Sequence, residues 1–290
     1  RVGIERRVIC SRIRSKGRPV SSTPRLPQAY LSLHGSSFLD FLEQQAPTLL
    51  TQRVQTAIGS GTGQEHMHAT TIVAVTYAHG VVMAGDRRAT LGSQIAHREI
   101  EKVFAADDYS AVGIAGVAGV GIELVRLFQL ELEHYEKIEG TLLSLDGKAN
   151  RLASLLRGNL SLALQGLSAL PMLAGYDVDR GVGRLFSYDV TGGRYEERET
   201  HSLGSGSPWA RGTLKSGWRP DLSSDQAVAL AVSALQSAAD EDSATGGIDV
   251  VRGIYPVVAV VDSAGYRRIS DGEIANLALA RGTAAGEAHT

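Results

Sequence analysis

The chain has 290 residues, 43% of them hydrophobic, which supplies a sizeable core for one large domain or two small ones. A formal net charge of −2 gives no electrostatic reason to expect nucleic acid or an anionic membrane as partner. The single cysteine, Cys10, excludes an internal disulfide framework, and no apolar run reaches the length needed to span a bilayer.

The first residue is not methionine, which fits a fragment or an alternative start. Residues 1–18 carry Arg1, Arg6, Arg7, Arg12, Arg14, Lys16 and Arg18 against one acid, Glu5. Such a leader reads either as a targeting segment or as a poorly ordered extension, and the lack of an apolar signal core favours the extension. With Pro19, Pro24 and Pro27 following, residues 1–36 are expected to be largely disordered. Phe38, Leu39, Phe41, Leu42 and Leu49 recur near helical spacing and predict a short amphipathic helix over 37–50. Residues 51–67, with Gly59, Gly61 and Gly63, read as a linker.

From Thr71 the pattern changes to strands. Ile72–Val75 and Val81–Ala84 flank a turn at His79-Gly80 and predict a hairpin. Ala111–Ala115 is a further short apolar run. Val120–Ile138 has helical periodicity and ends at Gly140. A second helix is predicted over Lys148–Leu170, stopped by Pro171. Strands follow at Met172–Asp177, Arg184–Tyr188 and Tyr195–Glu197, then a helix at Asp225–Ala239 and a buried strand at Ile254–Val261. A last helix is predicted over Asp271–Arg281. Hairpins without β-α-β crossovers argue for an α+β fold, with antiparallel sheets and helices segregated outside them.

The chemistry is concentrated after the linker, in H-A-T-T-I-V-A-V-T-Y, G-V-V-M-A-G-D-R-R-A-T and R-E-I-E-K-V-F. A threonine hydroxyl is a poor nucleophile without a base beside it. A free α-amino group titrates near neutrality and can be that base, but only if Thr70 becomes a chain terminus. A lysine nearby lowers the cost of developing negative charge, and a carboxylate orients that lysine. Asp86 and Lys102 fit those roles, although an Asp–Lys pair is more often a plain surface ion pair. Gly116 follows one strand and precedes a helix, where a backbone N–H is accessible. The stretch G-V-A-G-V-G does not match the dinucleotide-binding pattern. His66 and His68 have no third ligand nearby, so no metal site is expected.

Asp86 and Lys102 lie sixteen and thirty-two residues after Thr70, offsets that resemble those of proteasome β subunits of the actinobacterial type. The resemblance runs from about His68 to about Ile274. It implies a four-layer αββα sandwich, the fold of the N-terminal-nucleophile hydrolases. It also implies a propeptide over 1–69 cut between Ala69 and Thr70, and a catalytic domain over 70–290. Thr70, Asp86, Lys102, Ser205, Asp242 and Thr245 are then the catalytic set, and Gly116 the oxyanion donor. Thr245 stands where many relatives have serine, with the hydroxyl kept. Ala89, Ile100, Phe104, Ile114, Ala118 and Ile122 are expected to line an uncharged specificity pocket. Thr90 and Gly116 are expected to offer backbone to an extended peptide.

The function implied is a cytoplasmic threonine endopeptidase that needs no metal or nucleotide and prefers apolar residues before the cleaved bond. Its implied partners are α subunits, further β subunits in heptameric rings, an ATP-dependent unfoldase ring and unfolded polypeptides. Relatives usually carry glycine before the nucleophile, where this chain has Ala69. Alanine enters a tight turn at a Cβ cost, so this departure bears on the rate of maturation. Two other readings stay open: a structural ring subunit that never matures, and the simpler proteasome-related bacterial threonine peptidase.

Overall fold

The computed structural model describes residues 70–277. The expected leader, the helix over 37–50, Ala69, His66, His68 and Cys10 lie outside the described residues.

Two five-stranded antiparallel sheets stack face to face. The first contains β1 (Thr71–Tyr77), β2 (Gly80–Gly85), β10 (Thr200–Gly204), β11 (Val257–Asp262) and β12 (Gly265–Arg268), in the order β10-β1-β2-β11-β12. The second runs in chain order: β5 (Val103–Asp107), β6 (Ser110–Gly116), β7 (Ala169–Asp177), β8 (Val182–Tyr188) and β9 (Arg194–Glu197). A separate hairpin, β3 (Ala89–Leu91) with β4 (Gln94–His97), projects between β2 and β5 in the chain.

The β1 sequence T-I-V-A-V-T-Y is buried at every position because it has helices on one side and a sheet on the other. Its side chains alternate faces with period two. Val73, Val75 and Tyr77 join the core beneath α4 (Ser207–Gly217) and α5 (Ser224–Glu241). Ile72 and Ala74 point the other way, into the layer between the sheets, where Met83, Ala111, Met172, Ala174 and Leu185 meet them. A third cluster lies beneath α1 (Ala118–Glu139) and α2 (Leu145–Gly158), on Val112, Ile114, Leu173 and Phe186 of the second sheet. Helices, sheet, sheet and helices make the four expected layers. A short helix, α3 (Leu160–Ala163), follows α2.

Local signals account for the helix ends. Gly140 closes α1 at φ 66°, in the left-handed region that glycine enters without strain. Ser144 caps α2 by accepting from Gly147 N, and Ser223 with Gln226 forms a capping box on α5. Buried Lys148 of α2 reaches Asp107 of β5 at 2.6 Å and ties the outer helix layer to its sheet.

The expected helix over Lys148–Leu170 is corrected: helical structure ends at Ala163, and Ala169–Asp177 is a strand that includes Pro171. Pro171 is tolerated because it pairs with Ile114 of β6, whose N–H bonds in the opposite direction, to Lys102 O. The β7–β8 register begins only at Met172, so the missing N–H of Pro171 leaves no ladder bond unmade. The β1–β2 turn is also one residue earlier than expected, at Ala78-His79, with Gly80 already in β2. The expected last helix begins at 271, and its residues beyond 277 lie outside the described residues.

Candidate active site

The fold brings together residues from widely separated parts of the chain at the start of β1. One cleft is lined by Thr70, Lys102, Gly116, Ala89, Ile100, Ile114, Ala118 and Ile122, which the sequence singles out, and also by Glu101, Ala115, Val117 and Ala169. Thr70 itself is 4% exposed.

Asp86 directly follows β2, which pairs with β1, so the hairpin carries its carboxylate back to the beginning of β1. It is 1% exposed and accepts four hydrogen bonds. Oδ1 accepts from Thr71 N at 2.8 Å and Lys102 Nζ at 2.7 Å. Oδ2 accepts from Arg88 N and Gly246 N, both at 2.9 Å. A carboxylate so saturated with donors is fixed in place.

Lys102 precedes β5 and is held between Asp86 and the backbone carbonyl of Arg88. Burial pushes its ammonium below the ordinary lysine pKa, while the charge and hydrogen bond of Asp86 pull it upward. The pair thus places a positive charge at the cleft floor and away from bulk water.

Gly116 ends β6 at φ 111°, and a Cβ there would stand 2.3 Å from Ser168 O. Only glycine fits both the conformation and the space. The neighbouring Val117 N donates to that same Ser168 oxygen and turns the chain into α1. The first turn of α1 therefore borders the cleft, adding the partial positive charge of a helix N-terminus.

On the other side of Thr70, β10 pairs with β1 in the register Thr71↔Gly204. This brings Ser205 N within 3.0 Å of the Thr70 carbonyl, to which it donates. Gly204, at φ 102°, has room for no side chain, since a Cβ would lie 1.7 Å from Thr70 O. Ser205 Oγ and Thr245 Oγ1 both donate to Asp242 Oδ2 at 2.6 Å. Burial by itself would raise the Asp242 carboxyl, but these two hydroxyls, Ala244 N and the charge of Lys102 outweigh it and hold it below its ordinary value.

All six residues of the expected catalytic set thus gather around the beginning of β1. Of the expected pocket, Ala89, Ile100, Ile114, Ala118 and Ile122 line the cleft and Phe104 does not. Phe104 pairs with Val112, one step deeper on the same sheet face as Ile114, and packs into the α1–α2 cluster. Thr90 also stands outside the cleft lining; it is buried in β3, which among the described residues has a strand neighbour on one edge only. Glu101 also borders the cleft, and its carboxylate is paired with Arg268 at 2.8 Å. Sequence reasoning passed over Thr71, whose hydroxyl is joined to Thr245 and Gly206. The duplicated threonine was the available signal, but its second member reads as ordinary strand sequence.

No group of three or more His, Cys, Asp or Glu side chains suited to a metal occurs among the described residues. None of the helices described is long and apolar enough to cross a membrane.

The sequence matches the protein-family model described as "Proteasome subunit" over residues 66–252. It is also 58% identical over 256 residues to a protein of Frankia casuarinae named "Proteasome subunit beta", covering 88% of this chain and 93% of that relative.

Proposed function

Since this chain belongs to the proteasome subunit family, we propose that it is the precursor of a threonine endopeptidase, a catalytic β subunit whose nucleophile is Thr70. The observation that carries the reading is the shared cleft of Thr70, Lys102 and Gly116, with Asp86 fixing the lysine from behind.

Removal of residues 1–69 gives Thr70 a free α-amine. Thr70 Oγ attacks the substrate carbonyl while that amine, directly or through a water, takes the hydroxyl proton. The new negative charge on the carbonyl oxygen falls opposite the Gly116 N–H, next to the first turn of α1 and within the field of Lys102. The amine then passes its proton to the leaving nitrogen, the C–N bond breaks, and an ester to Thr70 remains. Water, deprotonated by the same amine, hydrolyses the ester and frees the hydroxyl.

The leader is removed by the same nucleophile attacking the Ala69 carbonyl. Support for a leader as part of the protein comes from the extent of the similarity. At 256 residues it is longer than the stretch from Thr70 to Thr290, so it continues upstream of Thr70. Apolar walls at Ala89, Ile100, Ile114, Ala118 and Ile122 suit an apolar substrate side chain before the cleaved bond.

The family implies assembly with other subunits. In the proposed particle, β subunits form heptameric rings in the cytoplasm, bounded by α subunits and fed unfolded chains by an ATP-dependent ring. Leu130 and Ile138, 62% and 65% exposed on α1, are residues that such packing would cover. The test is Thr70→Ala in particles assembled with an α subunit. An intact mass retaining the leader and no peptidase activity are expected; processing and turnover at the wild-type level would overturn the reading.

A further inference from the structure

Thr71 is completely buried, yet its side chain is polar and its hydroxyl is engaged on both sides. Gly206 N donates to Thr71 Oγ1 at 3.0 Å, and Thr71 Oγ1 lies 2.6 Å from Thr245 Oγ1. Chemistry sets the direction of this second bond. Thr245 Oγ1 donates its one proton to Asp242 Oδ2, because an ionised carboxylate can only accept. The proton between the two threonines must therefore come from Thr71. The result is a chain with a single polarity, from Gly206 N–H through the Thr71 and Thr245 hydroxyls to Asp242.

Thr71 also engages the opposite half of the site. Its backbone N–H donates to Asp86 Oδ1, the oxygen that holds Lys102. One residue, covalently next to Thr70, is thereby bonded directly to Asp86 and linked through the Thr245 hydroxyl to Asp242. A hydroxyl at this position orders the Thr245 proton toward Asp242, whereas an apolar side chain of the same shape would leave Thr245 free to rotate and Gly206 N–H without its acceptor.

We propose that Thr71 is a positioning residue for the reaction: its hydroxyl locks Thr245 and Asp242 into register with the Thr70 amine and the Asp86–Lys102 pair. The proposal rests on the reading of Thr70 as nucleophile. Hydrogen bonds that bear on the transition state and not on the side-chain pocket affect turnover more than substrate binding.

The test is steady-state cleavage of a short fluorogenic peptide by assembled, processed particles. Thr71→Val is expected to lower kcat by about tenfold or more with KM within about twofold, and Thr71→Ser, which keeps the hydroxyl, to recover most of the loss. Thr245→Val breaks the same chain at the next link, so the double variant should be no slower than the slower single one, within about twofold. A Thr71→Val particle with wild-type kcat and only a lower Tm would overturn the proposal, as would independent, multiplicative effects of the two valines. Should Thr71→Val fail to assemble, Thr245→Val decides alone: a lower kcat at unchanged KM supports the chain, and unchanged kcat overturns it. Thr70→Ala separates the two levels. If that variant keeps its activity, the nucleophile assignment fails; if it is inactive while Thr71→Val is fully active, only the positioning role fails.

Discussion

Lys102 Nζ stands 2.7 Å from Asp86 Oδ1, and the two side chains are 4% and 0% exposed. An ion pair so deeply buried has lost its hydration, and its worth depends on every remaining donor and acceptor being used. Asp86 meets that condition with three backbone N–H groups in addition to Lys102.

Removing one partner leaves the other as an uncompensated charge. Lys102→Ala should therefore cost stability, about 3–5 kcal/mol by analogy with other broken buried pairs, as well as nearly all peptidase activity. Denaturant unfolding and peptide turnover measure the two effects separately. Near wild-type turnover by Lys102→Ala would show that its charge does not act on the reaction.

Processing is expected to expose Thr70. N-terminal sequencing of assembled particles should read T-T-I-V-A-V. Active particles that keep residues 60–69 on every copy would be incompatible with an N-terminal nucleophile. Ala69→Gly should speed the cut, because glycine enters the required turn without a Cβ cost. A time course of intact mass measures this directly.

Gly116→Ala should abolish activity even though the change adds one methyl group. At φ 111°, with Ser168 O at 2.3 Å from the new Cβ, the end of β6 must shift and take its N–H with it. Displaced oxyanion donors typically lower kcat by about 10²–10³. Single-turnover measurements on processed particles would report the loss.

Cleavage should favour leucine or tyrosine before the scissile bond over aspartate. An apolar side chain gains about 25 cal/mol per Å² removed from water, and an acid would lie unpaired against apolar walls. Arginine substrates should also trail the apolar ones, since Glu101 is already paired with Arg268. Ala118→Val should narrow the cleft and slow the largest side chains most. Turnover of peptides differing at that one residue tests both expectations, and equal slowing of all of them would assign Ala118 to the fold alone.

Asp242 gives a pH dependence of defined sign. Its folded pKa lies below the ordinary value, so its contribution to stability is present above the unfolded pKa of about 3.9 and is lost as pH falls through the lower folded value. Thermal unfolding from neutral pH into acid should show a decline that is smaller in Asp242→Asn. Identical acid limbs in the two proteins would mean that Asp242 titrates alike folded and unfolded.

The sequence by itself determined the β1–β2 hairpin, α1, α5 and the residues around which the site is built. The hairpin and helices are local: alternating β-branched residues, helical spacing, and Gly140 or Ser223 at the ends. The Thr70, Asp86 and Lys102 offsets are legible because a hairpin and the strand after it carry those residues, and the resemblance gave them a chemical meaning. Tertiary structure alone decided what long-range pairing controls. β10 is short and partly polar, and it is a strand because β1 lies beside it; that pairing delivers Ser205 to the Thr70 carbonyl. Pro171 reads locally as a helix stop, yet it enters β7 where no neighbour needs its N–H. Phe104 reads as pocket and packs as core, while Glu101, beside Lys102, borders the cleft. Thr71 has no local feature separating it from strand sequence. Its role emerges where residues 135 and 174 positions away close around its hydroxyl, contacts that no local periodicity encodes.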